Sequence, residues 1–170
     1  MEAISSLRTL LDRVPERLLK LSADTVDKKT SPANWSAKEE VGHLIDSAAN
    51  NHQRIVRAQL EDAPAMPGYQ QNDWVRVHGY QGRDWKELVE LWWALNWQLL
   101  EAAEAVPDAG WARTLTVAGS NPMTLRFVFE DYLAHLAHHL QHRLRRIRRA
   151  CTQDRGGNNQ EERKVRFHRN

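Results

Sequence analysis

Apolar residues recur at three- and four-residue steps in four stretches of this chain, the spacing that one buried face of an α-helix demands. In the first stretch Ile4, Leu7, Leu11, Val14, Leu18 and Leu21 form one stripe between residues 3 and 21. Pro15 falls inside it, either as a kink or as the first residue of a second helical piece. Ser36 and Glu39 then hold the spacing of a capping box, with Trp35 placed to staple the entry, and predict a second helix over 37–60. Its stripe is Val41, Leu44, Ile45, Ala48, Ile55 and Val56, with His52 on the same apolar line, while His43, Ser47, Asn50 and Arg54 share another face. Pro64, Pro67 and Gly68 end it, and Gln70–His78 predicts a short helix entered at Asn72 or Asp73.

Asp84 and Glu87 repeat the capping-box spacing and open a third helix that reaches Ala105, with Leu88, Leu91, Trp92, Leu95 and Leu99 inward. Trp93 and Trp97 lie off that stripe, one turn apart, a pattern that suits a pocket wall, a subunit contact or a second core face. After Pro107 and Gly110, residues Thr114 to Pro122 read as a loop with one short strand at Thr114–Val117. The fourth helix opens near Thr124 and runs to Arg149, with its stripe through Leu125, Phe129, Tyr132, Leu136, Leu140, Leu144 and Ile147. Four amphipathic helices with short connections predict an all-α four-helix bundle with short extra helices in the loops. The bundle is expected to occupy residues 1–150, followed by a charged, flexible tail over 151–170 that has little apolar content.

Composition changes this picture in three places. The formal charge of +2 hides an asymmetry: residues 143–170 carry ten Lys/Arg against three Asp/Glu, so the bundle itself is acidic. That, and the lack of a DNA-binding motif, disfavours nucleic-acid binding; the basic last turns also suit a helix C-terminus for electrostatic reasons alone. Cys151 is the only cysteine, which excludes an intrachain disulfide and a cysteine-cluster metal site. No apolar run approaches a membrane span and the first 21 residues lack a signal-peptide layout, so the cytoplasm is the expected compartment.

The third place is histidine. Four of the eight histidines fall between positions 135 and 142 of the fourth helix. Histidines at i and i+4 stack on one face and can converge on a divalent ion, to which neutral imidazole binds at about 2.0–2.1 Å when the ion is zinc. Two such pairs exist, His135/His139 and His138/His142. On a wheel of about 100° per residue the first pair borders the apolar seam and His138 lies nearly opposite it, so His135/His139 is the better candidate.

The run Trp35-Ser36-x-x-Glu39-x-x-Gly42-His43-Leu44-x-Asp46-Ser47, followed by His135-Leu136-x-His138-His139-Leu140, resembles the DinB-like family. The resemblance continues through Gly68-Tyr69 and Asn72-Asp73-Trp74-Val75, and spans residues 3–148. It implies a four-helix bundle holding a divalent metal on three histidines, which match His43, His135 and His139 here. Residue pattern alone does not select His43, which points away from the Val41–Leu44–Ile45 stripe, and leaves His52 as the rival. Asp46, His138 and His142 are candidates for the surroundings of those ligands, Asp46 as acceptor of an imidazole N–H.

Three imidazoles leave coordination positions open, as a reacting site requires. Three imidazoles suit zinc, nickel, copper and iron alike, and zinc or nickel is the expected ion. The resemblance implies an enzyme that transfers or uses a low-molecular-weight thiol on a small electrophile, working as a homodimer. The competing readings are a hydrolase and a non-catalytic metal-binding or interaction module. No catalytic residue beyond the ligands is singled out.

Overall fold

A computed structural model of the chain describes residues 1–141. Helix α1 (Glu2–Leu19) keeps Pro15 within one continuous helix and buries Leu7, Leu11, Val14 and Leu18. A short helix α2 (Ala23–Asp27), capped by Ser22, follows it. Helix α3 spans Ala37–Leu60, α4 spans Gln71–His78 and α5 spans Trp85–Glu104. The last helix, α6, begins at 125 and is still helical at 141, the last described residue. Residues 1–136 form one compact unit. The expected boundary at 150/151, the tail, Leu144, Ile147 and His142 all lie outside the described residues.

The starts of these helices follow local chemistry. The Ser36 hydroxyl accepts from the Glu39 N–H at 3.2 Å, and the Glu39 carboxylate accepts from the Ser36 N–H at 2.9 Å. This reciprocal pair satisfies two N–H groups that a helix start leaves open. Asp84 accepts from the Glu87 N–H at 3.0 Å, and the Thr124 hydroxyl accepts from the Phe127 N–H at 3.2 Å. At the other end of α3 the Arg113 guanidinium donates to the carbonyls of Ala58 and Glu61, both at 2.6 Å. A cation at carbonyls that have no helical partner also complements the helix dipole.

Helix α5 packs against both α1 and α3, and Trp92, Leu99 and Leu100 on it are fully buried. Asn96 is buried among them. Its amide donates to the Trp92 carbonyl at 2.8 Å, and its oxygen accepts from the Tyr132 hydroxyl of α6. This polar link fixes α6 in rotation, while Leu125, Phe129, Tyr132 and Leu136 turn inward as their spacing requires. Trp93 is 42% exposed, and its ring meets Trp97 edge-on at 6.0 Å. Trp97 is half-buried, with the Arg8 guanidinium 5.2 Å above it.

The connections carry more order than the pattern shows. Strands β1 (Ala65–Met66), β2 (Thr114–Val117) and β3 (Met123–Thr124) form a small sheet in the order β1-β2-β3. The first pair is parallel, Ala65 opposite Thr116, and the second antiparallel, Leu115 opposite Met123. Only β2 is legible in the sequence, because two-residue strands carry no alternation. Helix α2 is missed for the same reason of length. The start of α4 also differs from expectation: its N-cap is Gln70, not Asn72 or Asp73.

Gly42 shows how closely α3 is approached. A Cβ there would lie 2.1 Å from the Tyr80 ring, which follows α4. A tyrosine can lie flat on α3 only where the helix has no side chain. In an open helix Gly→Ala gains about 1 kcal/mol; forcing extra volume into a packed contact costs about 1–3 kcal/mol. Gly42→Ala is therefore expected to lower the thermal midpoint by several degrees, measured by circular dichroism; a raised midpoint would show that Tyr80 does not lie there.

Candidate metal centre

Helix α3 is buried without interruption from Glu40 to Ala48. Helices α2, α4 and α5, the turn at Tyr80–Gly82 and strand β2 all pack on it. A wheel centred on Val41, Leu44 and Ile45 therefore misjudges His43. It lies off that stripe yet is only 2% exposed, because α3 is covered on nearly every side. His52, the rival on the apolar line, is only half-buried.

His43 meets α6 directly. Its Nε2 lies 3.1 Å from Nε2 of His135, with the rings edge to face at 5.0 Å. The Trp35 ring, next to the α3 cap, lies 5.0 Å from the His43 ring on another side. The sequence places Trp35 as a helix staple; its contact with His43 makes it part of the wall around the histidines. His139 follows His135 by one turn on the same unbroken helix. A ring nitrogen from each of His43, His135 and His139 lies within 4.8 Å of the others.

The donor set suits a divalent ion. Zinc–nitrogen bonds of about 2.0–2.1 Å at tetrahedral angles put neighbouring nitrogens about 3.3 Å apart. The His43–His135 separation is already close to that. Three neutral imidazoles are borderline donors that suit zinc, nickel, copper and iron, and a set of three leaves room for a further ligand.

The remaining candidates separate. His138 is exposed, its ring edge-on to His139 at 5.7 Å. Asp46 does not receive an imidazole N–H from the cluster. Its Oδ1 accepts from the Tyr80 hydroxyl at 2.7 Å and lies 3.0 Å from His78 Nδ1, while its Oδ2 is buried without a hydrogen bond. The reason is helical: Asp46 is three residues beyond His43 and faces α4 and Tyr80. Burial pushes its carboxyl up, against the pull of Tyr80 and His78. Burial, then the adjacent carboxylate, pushes the Tyr80 hydroxyl up as well.

Beside the two facing histidines lies a cavity of about 560 Å³, within the range of small-molecule sites. His43, Ser47, Asn51 and Arg54 of α3 line one side, and Val128, Asp131, Tyr132 and His135 of α6 another. Tyr69, Gln70, Gln71, Val117, Met123 and Phe127 complete it. The polar face expected on α3 is thus the pocket wall, with Asn51 in the place given to Asn50. Asn51 was missed because it falls between the faces of an ideal wheel. Tyr69 is raised by burial, and Arg54 is lowered by burial against the attraction of Tyr69 and Asp131.

The sequence model of the DinB superfamily matches residues 6–142. A candidate metal-dependent hydrolase of Oceanobacillus iheyensis is 26% identical over 73 residues, 43% of this chain and 42% of its own length. A second, from Halalkalibacterium halodurans, is 24% identical over 46% of each chain. The chain thus matches less than half the length of either relative. Among solved structures, the fold is similar to YfiT from Bacillus subtilis, a candidate metal-dependent hydrolase with an unusual four-helix bundle topology. The TM-score is 0.79 at 20% identity, over 88% of this chain and 86% of that one. It is also similar to a mycothiol-dependent maleylpyruvate isomerase, with a TM-score of 0.67 at 12% identity, over 82% of this chain and 58% of that one. No described helix is long and apolar enough to cross a membrane.

Elemental analysis after zinc loading and dialysis tests the cluster. About one ion per chain is expected for the wild type and for His52→Ala and His138→Ala, with a loss of at least tenfold in affinity for His43→Ala, His135→Ala or His139→Ala. Loss of metal in His138→Ala but not in His135→Ala would move the site to the other register.

Proposed function

Since the chain belongs to the DinB superfamily, we propose that it is a divalent-metal-dependent enzyme that joins a low-molecular-weight thiol to a small electrophile. The observation that carries this reading is the approach of His43 and His135 to 3.1 Å at the wall of a 560 Å³ pocket. In it, His43, His135 and His139 hold zinc or nickel. When bound, such an ion supplies a Lewis acid that favours the thiolate form of a thiol or polarises a carbonyl.

The residues of the chain do the rest. His43 and His135 are fixed by two packed helices, so the donors are set before substrate arrives. Trp35 covers one side of His43 and keeps water from it. Val128, Phe127 and Met123 offer an apolar wall to the body of the electrophile, and Ser47 and Tyr69 offer hydroxyls opposite. The thiol use of the structurally similar isomerase supports the choice of nucleophile. The names of the two sequence relatives favour a second reading, hydrolysis of an ester or amide at the same centre.

An assay with 1-chloro-2,4-dinitrobenzene and a panel of small thiols separates these readings. The thiolate sulfur forms a bond to the ring carbon, chloride leaves, and the thiol proton passes to solvent. A metal-dependent rate at least tenfold above background, lost with chelator and in His135→Ala, is expected. Thiol-independent ester hydrolysis without arylation would favour the hydrolase, and neither activity on any substrate would favour a non-catalytic metal-binding module.

A further inference from the structure

Among the described residues, Arg54 is the one arginine or lysine that the pocket wall holds. It is half-buried, on the same face of α3 as His43 and Ser47. Among the described residues its one hydrogen bond runs from Nη1 to Asn51 Oδ1, at 3.1 Å. Asn51 is itself buried and oriented, because its amide donates to the Ser47 carbonyl at 2.9 Å. The amide oxygen is therefore left to face Arg54, and the guanidinium is drawn back along α3 towards the histidines. A guanidinium has five N–H donors in a planar fork. The other four have no protein acceptor among the described residues, and Asp131, exposed across the pocket, makes no ion pair with it.

A half-buried guanidinium held by a neutral amide, with its fork turned into a cavity, is built to receive a planar anion. The distance to the histidines sets a length. Eleven residues of α3 separate His43 from Arg54, about 16 Å of rise, which the arginine side chain shortens to roughly 10 Å by leaning towards the helix N-terminus.

We infer that Arg54 binds a carboxylate of the substrate, so that the pocket takes molecules with a reactive group at the histidines and a carboxylate roughly 10 Å away. This rests on the metal–thiol reading for the reactive end only. Arg54 is a specificity-determining residue, and Asn51 positions it.

The zinc-loaded protein, Arg54→Met and Arg54→Lys are titrated by calorimetry with 6-mercaptohexanoate and with 6-mercaptohexanol, a neutral chain of the same length. The carboxylate is expected to bind the wild type about tenfold or more tightly than the alcohol. Arg54→Met should abolish that preference and Arg54→Lys should keep part of it, both with unchanged affinity for the alcohol. Equal affinities in the wild type, or a preference that survives Arg54→Met, overturn the inference. Hexanoate, which has no sulfur, provides the metal-free arm. If hexanoate raises the melting temperature of the metal-free wild type but not of Arg54→Met, while neither thiol shows binding through sulfur, the arginine site stands and the metal–thiol reading falls. No stabilisation by hexanoate and no binding of 6-mercaptohexanoate overturn the arginine site itself.

Discussion

Two imidazoles held face to edge with their nitrogens 3.1 Å apart, one of them almost fully buried, place a demand that the surrounding structure must meet. The facing nitrogens tolerate one proton or one ion between them, but not two N–H groups. Polar groups removed from water must find a partner or destabilise the fold by 1–3 kcal/mol each. The contact therefore survives only if α3 and α6 cannot slide or rotate apart. The capping box at Ser36 and Glu39 sets where α3 begins, Arg113 closes its other end, and the Asn96–Tyr132 bond locks the rotation of α6. Each of these is a polar bond at an element's end or in the core, where it orients more than it stabilises.

Much of this is legible in the residues, and what is not has physical causes. The long helices follow from apolar spacing and from caps, and α3 ends and begins where its signals place it. His135 and His139 stand out because a helix brings i and i+4 together whatever surrounds it. His43 does not, because a wheel assumes one buried face, and α3 has neighbours on nearly all sides. Asp46 illustrates a related limit: it resembles a partner for an imidazole until the tertiary fold sets Tyr80 and His78 against it. Tyr80 reaches it only because Gly42 leaves the surface of α3 open, and spacing along the chain does not reveal such a contact.

The pocket shows how a bundle makes a site mainly from its helices, with Tyr69 and Gln70 added by the loop before α4. Its chemistry sits on α3 and α6, whose side chains face each other across the cavity, and the small sheet supplies the apolar edge through Val117 and Met123. Elements this well packed hold their groups in place before a ligand binds, which is what preorganised chemistry needs. The similarity to YfiT and to the isomerase covers most of this chain at low identity, so it is the frame that is shared. The residues that face the cavity are where such proteins can differ in what they accept.

X-ray absorption spectroscopy of the zinc-loaded protein tests the central claim most directly, because it counts the ligands. The account predicts three imidazole nitrogens at about 2.0–2.1 Å and no protein sulfur, falling to two imidazoles in His43→Ala. Two imidazoles in the wild type, an unchanged spectrum in His43→Ala, or a sulfur contributed by Cys151 would contradict it.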